Sequence, residues 1–214
     1  MPQAHVEPLT GTPSHEGVDA AVAATRRVMA ALLRVGVEAQ APMREVTTRL
    51  EAIADDLAPQ AGDAEEQPLD LWASEGLAHR DPVTGPRNAI APPLQLTGRP
   101  DGSVVGVVSL GLAYQGPPGH VHGGVSALLL DHTLGVANGF AGSRGMTARL
   151  QLRYTRPAPL FVPLTVTARQ LRVEGRRIWA EGAISVDGAP CVTAEGLFVE
   201  PRGPVAATPS PEPG

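Results

Sequence analysis

The chain has 214 residues, with 24 Gly, 22 Pro, one Cys and a formal net charge of −5. A single cysteine excludes an internal disulfide framework and a cysteine-based zinc site. The overall acidity argues against general nucleic-acid binding, and no apolar run reaches the roughly 18–20 residues of a membrane span. The N-terminus has neither the basic start nor the apolar stretch of a secretory signal, so we predict a cytoplasmic protein.

The first third of the chain predicts two helices. Residues 1–16 are rich in Pro, Gly and polar side chains, and we expect them to be disordered. Apolar residues then recur at helical spacing from residue 18 to a stop at Gly36, and again from Pro42 to Leu57. Acidic residues 58–68 read as a linker. We therefore predict an accessory helical hairpin and linker over residues 17–68, packed on the rest of the chain or on a partner.

The remaining chain predicts short strands around one long helix. Four prolines between residues 82 and 93 forbid a long helix there, and residues 103–110 are Val-rich and strand-like. Residues 147–154 alternate with a period of two, which would place Thr147, Arg149 and Arg153 on one face. Three further strands follow, separated by Glu-Gly and Asp-Gly hairpin turns. We assign residues 69–200 to this α+β domain and residues 201–214 to a disordered Pro-rich tail.

Basic residues are concentrated in one stretch. All 17 basic residues are Arg, and eight of them lie between Arg144 and Arg177 with Glu174 as the one acidic residue there. A local basic band inside an acidic protein favours a phosphorylated small ligand. A solvated outer face of the sheet would explain the same arginines.

Residues 122–138 are the most informative segment. Apolar side chains cover nearly its whole circumference, as in a buried helix, so we predict a central helix with an antiparallel sheet wrapped over it. Asp131 lies in the middle of this helix. An unpaired buried carboxylate costs several kcal/mol. Asp131 therefore needs either hydrogen-bonding partners or a chemical role, and the residues alone leave both open.

The predicted helix begins at His122-Gly123-Gly124. The first N–H groups of a helix are unpaired and carry partial positive charge. Glycine lets a ligand approach the backbone closely. Together these features predict a site for an oxyanion or a carbonyl oxygen, although the two glycines could simply make a tight turn into the helix.

The spacing of these two features limits how they can cooperate. His122 and Asp131 are nine residues apart, which is about half a turn around the helix and about 13 Å along its axis. One helix cannot bring both groups to a single carbon atom. Two copies packed side by side and antiparallel could, with Gly123 of one chain near Asp131 of the other. If both groups are catalytic, the site lies at a symmetric dimer interface.

The motifs of this region resemble a known family. Gly-Pro-Pro-Gly at residues 116–119, His-Gly-Gly at 122–124, Asp131, Gly-Met-Thr-Ala at 145–148 and Arg-Tyr-Thr-Arg-Pro at 153–157 are similar to those of hot-dog-fold acyl-CoA thioesterases. The resemblance is to the PaaI-like branch, within it to the carboxyl-terminal-modulator type, and covers about residues 85–200. It implies a hot-dog fold, with the antiparallel sheet around the central helix and the helices of residues 17–68 as an N-terminal extension.

The resemblance also implies residue roles. Asp131 would be the catalytic carboxylate, either as general base or as nucleophile, and Thr147 would bind it or the attacking water. The Gly123 N–H would polarise the thioester carbonyl, which His122 would help to position. Some PaaI-like members carry an Asn six residues before this His, where this chain has Gly116. Any help from that amide is absent.

Five more residues are expected to contact substrate. Arginine suits the phosphates of coenzyme A, Gly124 belongs to the helix start, and Asn88 precedes the first strand of the domain and could line the acyl pocket. These candidates are Gly124, Asn88, Arg149, Arg153 and Arg156. His120, His122 and His132 lack the further ligands of a metal site, so we expect no metal and no cofactor beyond the coenzyme A of the substrate.

The leading interpretation is therefore a homo-oligomeric acyl-CoA thioesterase, either a homodimer or a tetramer made of two dimers. Two other functions remain open. One is a non-catalytic acyl-CoA-binding regulatory hot-dog protein, in which the N-terminal helices transmit the ligand state to a partner. The other is a hot-dog dehydratase or hydratase acting on 3-hydroxyacyl or enoyl thioesters. The acyl group itself is not encoded in these motifs.

Overall fold

The structure, a computed structural model, describes residues 7–36, 38–62 and 79–202. It contains seven strands, three α-helices and two single-turn 3-10 helices, at Ala58–Gln60 and Leu112–Tyr114. In chain order the main elements are β1 (Glu7–Pro8), α1 (Gly17–Leu32), α2 (Gln40–Leu57), β2 (Gln95–Gly98), β3 (Val104–Ser109), α3 (Gly123–Phe140), β4 (Met146–Tyr154), β5 (Pro163–Glu174), β6 (Arg177–Val186) and β7 (Ala189–Val199).

The strands form one antiparallel sheet in the order β1-β2-β3-β5-β6-β7-β4. Helix α3 lies across one face of this sheet and supplies Leu129, Leu130 and Leu134 to the core, each fully buried. Inward side chains of β5, β6 and β7 pack against them, among them Val166, Ile184 and Phe198. This arrangement confirms the predicted α+β hot-dog fold.

The hairpins that join β5 to β6 and β6 to β7 follow from their turn residues. Gly175 has a φ of 59°, and Asp187 and Gly188 have φ values of 49° and 77°. Two consecutive residues with positive φ give the turn whose twist matches that of the flanking strands, and Asp-Gly is a favoured pair for it. Both predicted hairpins are present.

Helix α3 is not buried on all sides, which corrects our prediction from its composition. Gly124, Leu128, Asp131 and Gly135 recur at helical spacing and form one face that the described chain leaves exposed or half-buried. Leu128 is 40% exposed. An apolar circumference is typical of a helix with neighbours all round, and the described part of this chain supplies them on only part of it.

The N-terminal segment, which we expected to be disordered, is ordered from residue 7. Glu7 and Pro8 pair with Gly98 and Thr97 of β2. The Leu96 N–H donates to the Oγ1 of Thr10 at 3.0 Å, and Thr10 is buried. These bonds satisfy the edge of a four-residue strand that would otherwise present unpaired backbone groups. Residues 1–6 lie outside the described part of the chain.

Helices α1 and α2 occupy the predicted positions, although α2 begins two residues before Pro42. Arg26 of α1 donates to the carbonyls of Gly85, Asn88 and Ala89 at 3.4, 2.7 and 3.4 Å. These bonds fasten α1 to the loop before β2. The apolar residues Leu50, Ile53 and Leu57 of α2 are exposed. Most of the predicted linker, the expected domain boundary at residue 69 and nearly all of the predicted tail lie outside the described residues.

Candidate active site

The first turn of α3 is capped by a histidine side chain. His122 is the residue before the helix, with φ −62° and ψ 135°, and its Nδ1 accepts the N–H of Gly124 at 3.0 Å. Accepting this bond requires Nδ1 without a proton, so a neutral ring carries its hydrogen on Nε2. The predicted substrate contact Gly124 therefore has its N–H already engaged by His122.

The Gly123 N–H is left free by this arrangement. Within the described part of the chain it has no hydrogen-bond acceptor, whereas the N–H of His122 donates to the Tyr114 carbonyl at 2.9 Å. An unpaired N–H at a helix start carries partial positive charge and can bind an oxygen that becomes negative. The first turn of α3 thus offers one available donor.

Gly116 has a steric reason to be glycine. A Cβ at this position would lie 2.7 Å from the Cα of His122, closer than real Cβ atoms approach. The side-chain amide that some PaaI-like members carry here therefore cannot fit this backbone. The neighbouring Gln115 is tied to the turn before α3, because its Oε1 accepts the N–H of Gly119 at 3.1 Å.

Asp131 lies on the open face of α3 and contacts β4. The hydroxyl of Thr147 donates to its Oδ1 at 3.0 Å, as the resemblance implied. Asp131 is half-buried and Thr147 is exposed. A carboxylate held by one hydroxyl, with its other oxygen free of protein donors in the described chain, can accept a proton from water.

A β-bulge brings Thr147 to this position. The register of β4 against β7 shifts between Thr147 and Arg149. The extra residue Ala148 therefore places the Thr147 side chain on the face opposite to the one that strict alternation predicts. Thr147 therefore shares the inner face with Leu150 and Leu152 and not the outer face with Arg149. The strict alternation that we expected for residues 147–154 is wrong at this one residue.

His132, the neighbour of Asp131, faces the loop before β2. Its Nε2 lies 3.1 Å from the Thr84 hydroxyl, and its Nδ1 lies 3.6 Å from an Asp81 carboxylate oxygen. Burial lowers the pKa of His132, and the carboxylates of Asp81 and Asp131 oppose that shift. No three described His, Cys, Asp or Glu side chains are grouped as metal ligands would be.

The predicted substrate residues are not gathered at this site. Arg149 and Arg153 project from the outer face of β4, which is the face opposite α3. The guanidinium of Arg156 donates to the carbonyls of Pro190, Val186 and Ala189 at the β6–β7 hairpin. Asn88 is used within its own loop, where its side chain bonds Arg80 and Ile90.

A cavity of about 380 Å³ adjoins the start of α3 and is lined in part by Gly123, Ser126 and Tyr154. The Tyr154 hydroxyl donates to the Gly123 carbonyl at 2.9 Å. Tyr154 alternates in sequence with Leu150 and Leu152, which is typical of residues on one face of a strand, but this pattern does not reveal which backbone group Tyr154 meets.

No described helix is long and apolar enough to cross a bilayer. Two family models match the chain. Residues 118–188 match the model described as "Thioesterase superfamily". Residues 9–66 match the model described as "Hypothetical protein RHA1_ro05818, N-terminal helical domain".

Among curated proteins, the chain is similar to acyl-coenzyme A thioesterase THEM4 of Mus musculus, with 37% identity over 95 residues, which is 42% of this chain and 40% of that protein. The Rattus norvegicus protein of the same name is 38% identical over 92 residues, with 42% and 40% covered. The chain thus spans about 40% of the length of these relatives. Among solved structures, one called "protein RHA08564, thioesterase superfamily protein" is 51% identical with a TM-score of 0.86, and the match covers 93% of this chain and 98% of that one.

Proposed function

The chain belongs to the thioesterase superfamily, and from this premise we propose that it hydrolyses acyl-CoA to a free acid and coenzyme A. The observation that carries the proposal is that α3 presents two groups of complementary chemistry, a carboxylate and a free N–H donor, about 12 Å apart along its axis. Asp131 presents a carboxylate held by Thr147, and Gly123 presents an N–H with no acceptor in the described chain. Thioester hydrolysis needs a group of each kind.

The proposed reaction begins when a water molecule attacks the thioester carbonyl carbon. Asp131 takes a proton from this water, and the negative charge that forms on the carbonyl oxygen is met by the Gly123 N–H. Collapse of the tetrahedral intermediate breaks the carbon–sulfur bond, and the proton returns from Asp131 to the leaving thiolate. His122 contributes by fixing the first turn, since its ring caps Gly124.

Asp131 could instead attack the carbonyl carbon directly and form a mixed anhydride that water then hydrolyses. A single turnover in ¹⁸O-labelled water separates the two routes. Water attack places the label in the released acid. Nucleophilic attack by Asp131, followed by hydrolysis at the aspartyl carbonyl, places it in the enzyme carboxylate.

We propose that the complete site is shared between two copies of the chain. Gly123 and Asp131 are eight residues apart, about 12 Å along the helix axis. The two groups of one helix therefore cannot both act on the same thioester carbonyl. The open face of α3 lies beside β4, which pairs with β7 on one side while its other edge is free in the described chain. Leu128 of α3 is 40% exposed on that face. An antiparallel second copy would cover it.

Arg149 and Arg153 remain our candidates for the coenzyme A phosphates. In the described chain neither forms an ion pair with a carboxylate, so their charge is available to a phosphate. Arg156 is a weaker candidate because its donors already serve three backbone carbonyls. Removal of Arg149 or Arg153 is expected to raise KM for acyl-CoA more than it lowers kcat.

One observation favours the second candidate function, that of an acyl-CoA-binding regulatory protein. Arg26 fastens α1 to the loop before β2, and Thr84 and Asp81 of that loop contact His132 beside Asp131. The N-terminal helix is thus connected to the neighbour of the proposed catalytic residue. Tight binding of acyl-CoA without release of coenzyme A would favour this function over hydrolysis.

The test is a panel of acyl-CoA substrates, from short aliphatic to long and aromatic, with released coenzyme A measured by a thiol reagent. Asp131→Asn is expected to lose about 10²–10⁴ in kcat, the contribution of a general base. It should melt like the unmodified protein, because an asparagine oxygen still accepts the Thr147 bond. Unchanged turnover by this folded variant would exclude Asp131 as the catalytic group. Turnover of 3-hydroxyacyl or enoyl thioesters without coenzyme A release would instead indicate a hydratase.

A further inference from the structure

Tyr154 makes a contact with α3 that core packing does not explain. Its hydroxyl donates to the Gly123 carbonyl at 2.9 Å, and its ring lies 3.6 Å from where a Cβ of Gly123 would be. The side chain is nevertheless 54% exposed, and it lines the cavity that opens beside Gly123. Tyr154 thus joins the last residue of β4 to the first residue of α3.

This hydroxyl and His122 hold the same peptide group from opposite ends. The carbonyl of Gly123 and the N–H of Gly124 belong to one planar unit. Tyr154 donates to its oxygen, and His122 Nδ1 accepts its N–H at 3.0 Å. The preceding peptide group is held as well, because the His122 carbonyl accepts the N–H of Ser126 at 3.1 Å. Both peptide planes that flank Gly123 are therefore restrained.

The restraint matters because glycine has little conformational preference of its own. Two consecutive glycines can adopt many backbone angles, and each changes the direction of the free Gly123 N–H. A donor stabilises a developing oxyanion most when it is already aimed before the reaction. We propose that Tyr154 is a positioning residue, which fixes the direction of the Gly123 N–H through the Gly123–Gly124 peptide group. The inference rests on the proposed thioester hydrolysis and deepens it.

Strand β4 would then position both proposed catalytic groups of α3, the Asp131 carboxylate and the Gly123 N–H. Thr147 near its start binds Asp131 at 3.0 Å, and Tyr154 at its end binds Gly123. Leu150 and Leu152 between them pack against the core. Because the bulge after Thr147 puts all four side chains on the inner face, the strand sets the carboxylate and the N–H donor relative to the same helix.

The kinetic test compares two variants that each lose one tyrosine hydroxyl and keep the ring. Tyr154→Phe removes the bond to Gly123, and Tyr114→Phe removes a bond to the Ala91 carbonyl of 3.0 Å. We expect Tyr154→Phe to lose about 10-fold in kcat with KM within about twofold, which is less than loss of the donor itself would cost. Tyr114→Phe should keep its kcat. An unchanged kcat in Tyr154→Phe, or a rise in KM alone, would overturn the inference.

A second readout does not depend on turnover. With ¹⁵N-glycine labelling, amide hydrogen exchange at Gly124 is expected to be several-fold faster in Tyr154→Phe than in the unmodified protein, and unchanged in Tyr114→Phe. Equal exchange in all three proteins would refute the restraint of the Gly123–Gly124 peptide group by Tyr154. If exchange at Gly124 is faster in Tyr154→Phe but the unmodified protein hydrolyses no acyl-CoA, the proposed function fails and the restraint by Tyr154 stands. If acyl-CoA is hydrolysed and exchange is unchanged, the inference alone fails.

Discussion

Replacement of Gly123 by proline should delete the proposed oxyanion donor and leave α3 intact. Gly123 is the first residue of the helix, a position that proline favours because the N–H there has no partner within the helix. His122 before it has φ −62° and ψ 135°, the extended conformation that proline requires of the preceding residue. A Cβ at position 123 would lie 3.5 Å from its nearest neighbour, the Tyr154 hydroxyl, which is an ordinary contact.

The size of the effect follows from this geometry. Loss of one oxyanion donor costs about 10²–10³ in kcat, or about 3–4 kcal/mol of transition-state stabilisation. Folding should not suffer, because the Gly123 N–H has no acceptor in the described chain. Proline also restricts the unfolded chain, which contributes about 0.4–1 kcal/mol to stability where the conformation fits. We therefore expect a large loss of turnover with an unchanged or slightly raised melting temperature.

The assay is steady-state release of coenzyme A alongside thermal unfolding of the same preparations. Gly123→Ala is the matched control, since it adds the same Cβ and keeps the N–H. Its kcat should fall far less than that of Gly123→Pro. Equal losses in the two variants would assign the effect to the added carbon. A proline variant that keeps its kcat would refute the role of this donor.

Three other changes test the structure around the site. Burial holds the pKa of His132 below its ordinary value, so the unfolded chain binds more protons as the pH falls below about 6.5. The melting temperature of the unmodified protein should therefore fall there more steeply than that of His132→Gln, and parallel profiles would contradict this. Arg26→Ala removes three bonds to loop carbonyls and should lower the free energy of unfolding by about 1–2 kcal/mol in urea titrations. Arg34→Ala, which breaks one bond from the residues after α1 to the Ala30 carbonyl in its last turn, should cost less, and equal losses would argue against the loop anchor. Gly116→Asn should destabilise by about 1–3 kcal/mol in the same titrations, because its Cβ would meet the His122 backbone at 2.7 Å; an unperturbed variant would show that the loop can move aside.

Features set by a few adjacent residues could be predicted from the sequence. The Asp187-Gly188 turn was recognisable because positive φ at two successive positions suits few residue pairs. The central helix and its start at Gly123 followed from composition and from the glycines. The pairing of Thr147 with Asp131 was implied by the family resemblance and not by the pattern of residues 147–154.

Features set by distant parts of the chain could not be predicted in this way. Whether residues 7–16 are ordered depends on the edge of β2, which lies nearly ninety positions later in the chain. There the Leu96 N–H donates to the Thr10 hydroxyl. The facing of Thr147 depends on one bulge, and a shift of one residue reverses every side chain beyond it. The open face of α3 could not be predicted, because composition shows that a helix is apolar but not which neighbours cover each side of it. The hydrogen bond of Tyr154 could not be predicted for a similar reason, since its partner is a backbone carbonyl that carries no sequence signal.

The central claim is that one active site combines Gly123 of one chain with Asp131 of another, and hybrid dimers test it most directly. Gly123→Pro and Asp131→Asn should each be nearly inactive alone. In a mixed dimer, one of the two sites receives an unmodified residue from each chain. Random reassortment of equal amounts should therefore restore about a quarter of the unmodified activity, since half of the dimers are mixed and each has one intact site. Activity that stays at the level of the separate variants, with mixed dimers demonstrated, would contradict the shared site.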